Sequence, residues 1–90
     1  MSVNYISLAK HCIGLDRKEP YVWHGKRFYR PYRNYFSTGP DFEDWEIMVI
    51  SGYARRGEKN QHGGYTFHMT RAGLDWLGNK LGIHIYDEED

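Results

Sequence analysis

The sequence predicts a small α+β domain, and three observations carry that expectation. Three stretches place apolar residues at helical spacing. Between them lie short aromatic runs that meet at glycine-bearing polar turns and read as hairpins. The chain has 90 residues and no linker able to separate two domains. A chain of this length buries only about 60–65 % of its unfolded surface. Its core must therefore be compact, and fifteen rings (3 Trp, 8 Tyr and 4 Phe) supply the bulk.

The elements follow in order. Residues 4 to 15 set Tyr5, Leu8, Ala9, Cys12 and Ile13 on one face of a first helix, with Ser2 or Asn4 as cap. The charged residues 16 to 19 and Pro20 are expected to end it. Residues 21 to 29 form two strand-prone pieces around His24-Gly25-Lys26, a short N-terminal hairpin. Pro31 opens a short helix through Tyr32, Asn34, Tyr35 and Phe36, stopped by Gly39-Pro40.

Asp41 and Asp44 are spaced as a capping pair for a helix over about residues 42 to 51, with Phe42, Trp45, Met48 and Val49 inward and Gly52 as its left-handed stop. Residues 53 to 56 and 65 to 69 read as strands joined by a polar tip. Thr70 caps a last helix over 71 to about 81, with Ala72, Leu74, Leu77 and Leu81 inward and Trp76 beside them. Gly82 ends it, residues 83 to 86 alternate as a strand, and Asp87-Glu88-Glu89-Asp90 is a solvated tail. The expected organisation is one domain over 1–86 with an acidic tail over 87–90.

The run Trp45-Glu46-Ile47-Met48-Val49-Ile50-Ser51-Gly52-Tyr53-Ala54, then the polar hairpin, then Tyr65 to Leu74 with Met69-Thr70-Arg71-Ala72-Gly73, resembles the second half of winged-helix proteins. There a helix ends in glycine, a two-stranded wing follows, and a threonine step re-enters a helix. The resemblance implies a winged-helix-like domain of three to four helices with a two-stranded wing and the short N-terminal hairpin. The whole chain, through Tyr29-Arg30-Pro31-Tyr32-Arg33-Asn34-Tyr35-Phe36 and Leu74-Asp75-Trp76-Leu77-Gly78, also resembles small proteins carried by phages and prophages of Gram-positive bacteria. That implies a viral protein in the host cytoplasm and brings no activity with it.

Composition agrees with a cytoplasmic setting. A single cysteine excludes an internal disulfide, the first thirty residues hold no apolar run of signal-peptide length, and no stretch reaches membrane length, so neither secretion nor a membrane span is expected. Five histidines raise the question of a metal, chiefly His62 with His68 across the wing, or His11 beside Cys12. The paired ligand spacings of a structural zinc site are missing, so no metal or cofactor is expected. Cys12 and His11 are helix neighbours that point apart, and no phosphate loop or nucleophile elbow occurs, so no enzyme is expected.

Net charge is zero but unevenly spread. Residues 1–40 hold seven Lys/Arg against Asp16 and Glu19, and residues 41–90 hold five against ten Asp/Glu. In 21 to 36, Lys26, Arg27, Arg30 and Arg33 interleave with seven rings and no acid. Cations neutralise phosphates and rings stack on unpaired bases, so these residues, with Arg55, Arg56 and Lys59 of the wing, are the candidate nucleic-acid-binding set. The bland alternative puts the rings in the core with the cations over their faces.

One departure from the winged-helix pattern matters. The helix before the wing carries Asp41, Glu43, Asp44 and Glu46 and no Lys or Arg, which opposes docking in a DNA groove. Glu43, Asp44 and Glu46 are therefore the candidate protein-binding set of a second reading. In that reading the chain is an inhibitor or adaptor acting on a host or phage protein, such as a nucleic-acid enzyme or defence complex.

Overall fold

The computed structural model describes residues 3–15 and 18–86, with side chains from Tyr5 onward. The expected roles of Ser2, Asp16, Arg17 and the tail at 87–90 lie outside the described residues. Within them the chain is an α+β domain with three helices and two three-stranded sheets.

Helix α1 (Val3–Ile13) buries Ala9, Cys12 and Ile13. Asn4 lies inside the helix, not ahead of it as a cap. The helix stops before the charged run, because Gly14 turns left-handed at φ +79° and Leu15 N–H bonds the Lys10 carbonyl at 2.8 Å. Two side chains from later in the chain complete this end. The Tyr29 hydroxyl donates to the Ile13 carbonyl at 2.9 Å, and the Arg33 guanidinium donates to the His11 carbonyl at 2.6 Å.

Strands β1 (Tyr21–Trp23) and β2 (Lys26–Tyr29) form the expected hairpin around a two-residue turn. His24 and Gly25 both take positive φ, 51° and 75°, the geometry that matches the twist of paired strands. Strand β6 (His84–Ile85) joins β2 in parallel, giving the order β1-β2-β6.

No helix forms over 31 to 36. The side chain of Asn34 behaves as a piece of strand: its Oδ1 accepts from Met69 N–H at 2.8 Å and its Nδ2 donates to the Met69 carbonyl at 3.0 Å. Those two bonds hold the connector extended, and Phe36–Ser37 then pairs as strand β3. The helix total is accordingly three among the described residues.

Helix α2 (Glu43–Ile50) buries Trp45 and Met48. The Asp41/Asp44 capping pair does not form. Phe42 takes the N-cap position without a side-chain cap bond, because its ring is drawn inward against Tyr65 at 5.2 Å and Phe67 at 6.0 Å. Gly52, φ +85°, turns the chain into β4 (Ala54–Lys59), and β5 (Tyr65–Met69) returns. The second sheet has the order β3-β5-β4, with a register shift between Arg56 and Lys59.

The Thr70 hydroxyl caps α3 (Arg71–Leu81) by accepting from Gly73 N–H, and Gly82 ends it left-handed. Ala72 proves exposed; the inward side carries Gly73 and Gly78 with Leu74, Trp76 and Leu77. Gly73 has to be glycine, since an added Cβ would collide with the Tyr53 carbonyl oxygen. Trp45 stacks on Phe67 at 5.5 Å, and Phe42, Val49 and Leu81 pack against the core that holds Trp45, Leu74 and Leu77. No helix among the described residues is long and apolar enough to cross a membrane.

Candidate nucleic-acid interface

The β1-β2-β6 sheet has one open face and one face that is closed only where Tyr29 of β2 and Ile85 of β6 meet the core. Side chains alternate along a strand, and paired residues share a face. Tyr29 and Ile85 are buried against the core. The pairs Tyr21 with Phe28, Trp23 with Lys26, and Phe28 with His84 therefore lie together on the other side. Tyr86 N–H bonds the Tyr29 carbonyl at 3.0 Å, extending the β6 edge, and its ring joins the same face.

The rings run across all three strands as an array. Tyr21 and Phe28 lie 6.0 Å apart at 21°, and Phe28 and Tyr86 6.1 Å apart at 18°. His84 stands edge-on to both Phe28 and Tyr86. Trp23, 65 % exposed, extends the array toward the hairpin tip, where His24 meets it edge-on at 4.1 Å. The Arg30 guanidinium sits 4.6 Å over the Tyr86 ring. Lys26 is exposed on the same face, and none of β1, β2 or β6 contains an acid.

The sequence-predicted cations separate on folding. Lys26 and Arg30 belong to the open face, whereas Arg27, paired with Val22, points to its reverse on the part of the hairpin that overhangs the core. Arg33 is an internal fastener: it is half-buried, holds the end of α1, and keeps its Nε buried without a hydrogen-bond partner among the described residues. In the wing, Arg55 and Arg56 pair with His68 and Phe67 and so lie on opposite faces of the other sheet. Lys59 is exposed at the end of β4.

The two candidate sets touch. Arg56 lies 3.7 Å from Glu46 and 4.9 Å over the Tyr65 ring, so one expected phosphate contact is occupied by one expected protein contact. Glu43 and Asp44 are exposed in the first turn of α2. Neither set is a single patch.

Of the seven rings in 21 to 36, Tyr29 and Phe36 belong to the packed interior or its margin. His84 and Tyr86 were not among the candidate site residues. The alternation Ile83-His84-Ile85-Tyr86, two aliphatics on one face and two rings on the other, was the available signal.

Cys12 and His68 both turn to Asn34. Cys12 is fully buried with Sγ 3.5 Å from Asn34 Oδ1, and burial pushes its thiol up from about 9 to about 12. The His68 ring is turned to the connector, with Nδ1 2.6 Å from the Asn34 carbonyl. Among the described residues, no group of three His, Cys, Asp or Glu is placed to hold a metal ion. Comparison with protein-family models, curated proteins and solved structures gives no match.

Proposed function

We propose that this protein is a phage-type binding module that takes single-stranded nucleic acid on the open face of the β1-β2-β6 sheet. The observation that carries the reading is the array of Tyr21, Trp23, Phe28, His84 and Tyr86 interspersed with Lys26 and Arg30 and free of acids in its three strands. Ring stacking suits unpaired bases, which expose their faces, and contributes about 1–3 kcal/mol per base. The two cations neutralise phosphates along the strand. A duplex hides its base faces and is not served by such a surface.

A winged-helix-like reading of the C-terminal half accompanies this proposal. It is supported by the succession of α2, Gly52, the β4–β5 hairpin, the Thr70 cap and α3. The acidic α2 argues against the groove-docking mode of that fold and leaves the wing, through Arg55 and Lys59, as an auxiliary phosphate contact.

The test is fluorescence anisotropy with labelled single-stranded and duplex oligonucleotides of one sequence. Single strands should bind more tightly, with affinity falling as salt rises. Equal affinity for the duplex, or no binding at low salt, sinks the proposal.

A further inference from the structure

A second surface lies between α1, β3 and α2, apart from the residues of the aromatic sheet. The groove here comprises two adjoining cavities of about 350 Å³ and 360 Å³ that share Leu8, Phe36 and Asp44 as lining residues. Its apolar lining comes from Leu8, Phe36 and Phe42, all half-buried. Asp41, Glu43 and Asp44 line it as well, and all three are exposed. At the α1 end His11 stands edge-on to Phe36 at 5.2 Å.

We infer that this groove docks a basic protein segment that inserts one bulky apolar side chain. The apolar lining takes the inserted side chain, and charge complementarity decides what flanks it. Unlike Glu46, which is paired with Arg56, the carboxylates of Asp41, Glu43 and Asp44 form no ion pair among the described residues. Three carboxylates without an ion pair among the described residues, beside a partly apolar groove, repel phosphate and attract lysine and arginine. A nucleic-acid strand is therefore disfavoured here, and an acidic or neutral peptide gains nothing from the rim. The inference stands independently of the proposed function of the sheet.

The probe is a short amidated peptide with one phenylalanine between pairs of lysine and arginine, titrated into the protein while backbone-amide NMR shifts are followed. Saturable shifts should cluster at Leu8, His11, Phe36, Asp44 and the Trp45 indole. The Glu43→Gln/Asp44→Asn double variant, which changes only exposed side chains, should weaken the peptide at least about five-fold, as expected when a pair of rim charges is lost. The phenylalanine-to-serine peptide should weaken it further.

Shifts centred on β1, β2 and β6, affinity unchanged in the double variant, or equal affinity of a glutamine-for-lysine/arginine peptide would each overturn the inference. Shifts that depend on protein concentration without peptide would assign the groove to a second copy of the chain and overturn it as well.

Discussion

The open sheet face and the exposed side of α2 are both solvent-facing, and they are built from opposite chemistry. The sheet shows Tyr21, Trp23, Lys26, Phe28, Arg30, His84 and Tyr86. Helix α2 shows Glu43, Asp44 and Glu46 with Ile47 and Ile50, the latter 85 % exposed. In a chain of zero net charge, the open sheet face shows rings and cations and the exposed side of α2 shows carboxylates, one of which meets the wing at the Arg56–Glu46 pair. The boundary between the two surfaces does not fall midway along the sequence. His84 and Tyr86 come from the acidic half yet complete the basic face through parallel pairing with β2. Arg33 comes from the basic half and is spent on fastening α1.

The largest effects should come from what holds both regions in place. Trp45 and Leu77 are fully buried in the shared core, and replacing either by alanine should cost about 3–5 kcal/mol. For so small a domain that is much of its stability, so thermal melting should fall steeply or disappear. Trp45→Phe should cost less, because it also removes an indole N–H that is buried without a partner among the described residues. Near-wild-type melting of Trp45→Ala would break the packing that positions α2.

Arg30 and Arg33 are equals in the sequence and differ in the fold. Arg30→Ala should lower oligonucleotide affinity and leave melting almost unchanged, since its guanidinium lies over an exposed-face ring. Arg33→Ala should do the reverse, lowering stability by about 1–3 kcal/mol through the loss of the bond to the His11 carbonyl. Parallel melting curves and anisotropy titrations check the crossing. Equal effects of the two variants on binding would mean that the interface extends past the sheet.

Much of the fold was legible because it is locally determined. Helix α3 runs over the expected residues, since Thr70 and Gly82 punctuate it and Leu74 and Leu77 mark its inner side. The two hairpins follow from their glycines and polar turns. What was not legible depends on distant partners. Pro31 and the ring spacing after it suit a helix, but Asn34 bonds to Met69 some thirty-five positions away, and that contact overrides local preference. Phe42 displaces Asp41 from the cap for the same kind of reason, its ring being worth more against Tyr65 and Phe67. The candidate site was half visible: the basic-aromatic run announced itself, whereas which rings face outward depends on strand register and on β6.

Burial of Cys12 adds a smaller, pH-dependent effect. Its folded pKa is raised to about 12 from about 9, so the neutral thiol stabilises the fold fully at pH values below 9. That contribution is lost as pH climbs from 9 towards 12, at about 1.4 kcal/mol per pH unit, because only the unfolded chain releases the proton. Cys12→Ala should be less stable at neutral pH, yet show a shallower decline between pH 9 and 10. Identical slopes for the two proteins would show that the thiol is not sequestered.

The smallest effect belongs to the ion pair that links the two candidate sets. Glu46→Gln should change stability by less than about 1 kcal/mol, since both partners are half exposed. Freeing Arg56 from Glu46 should tighten oligonucleotide binding slightly if the wing assists, and a loss of affinity would contradict that role.

Which face meets the nucleic acid is decided by amide shift mapping with an unlabelled single-stranded oligonucleotide. Shifts should concentrate at 21 to 30 and 84 to 86, with the Trp23 indole among the largest and α2 unmoved. Shifts concentrated on α2, or confined to the wing with β1, β2 and β6 silent, would contradict binding on the open sheet face.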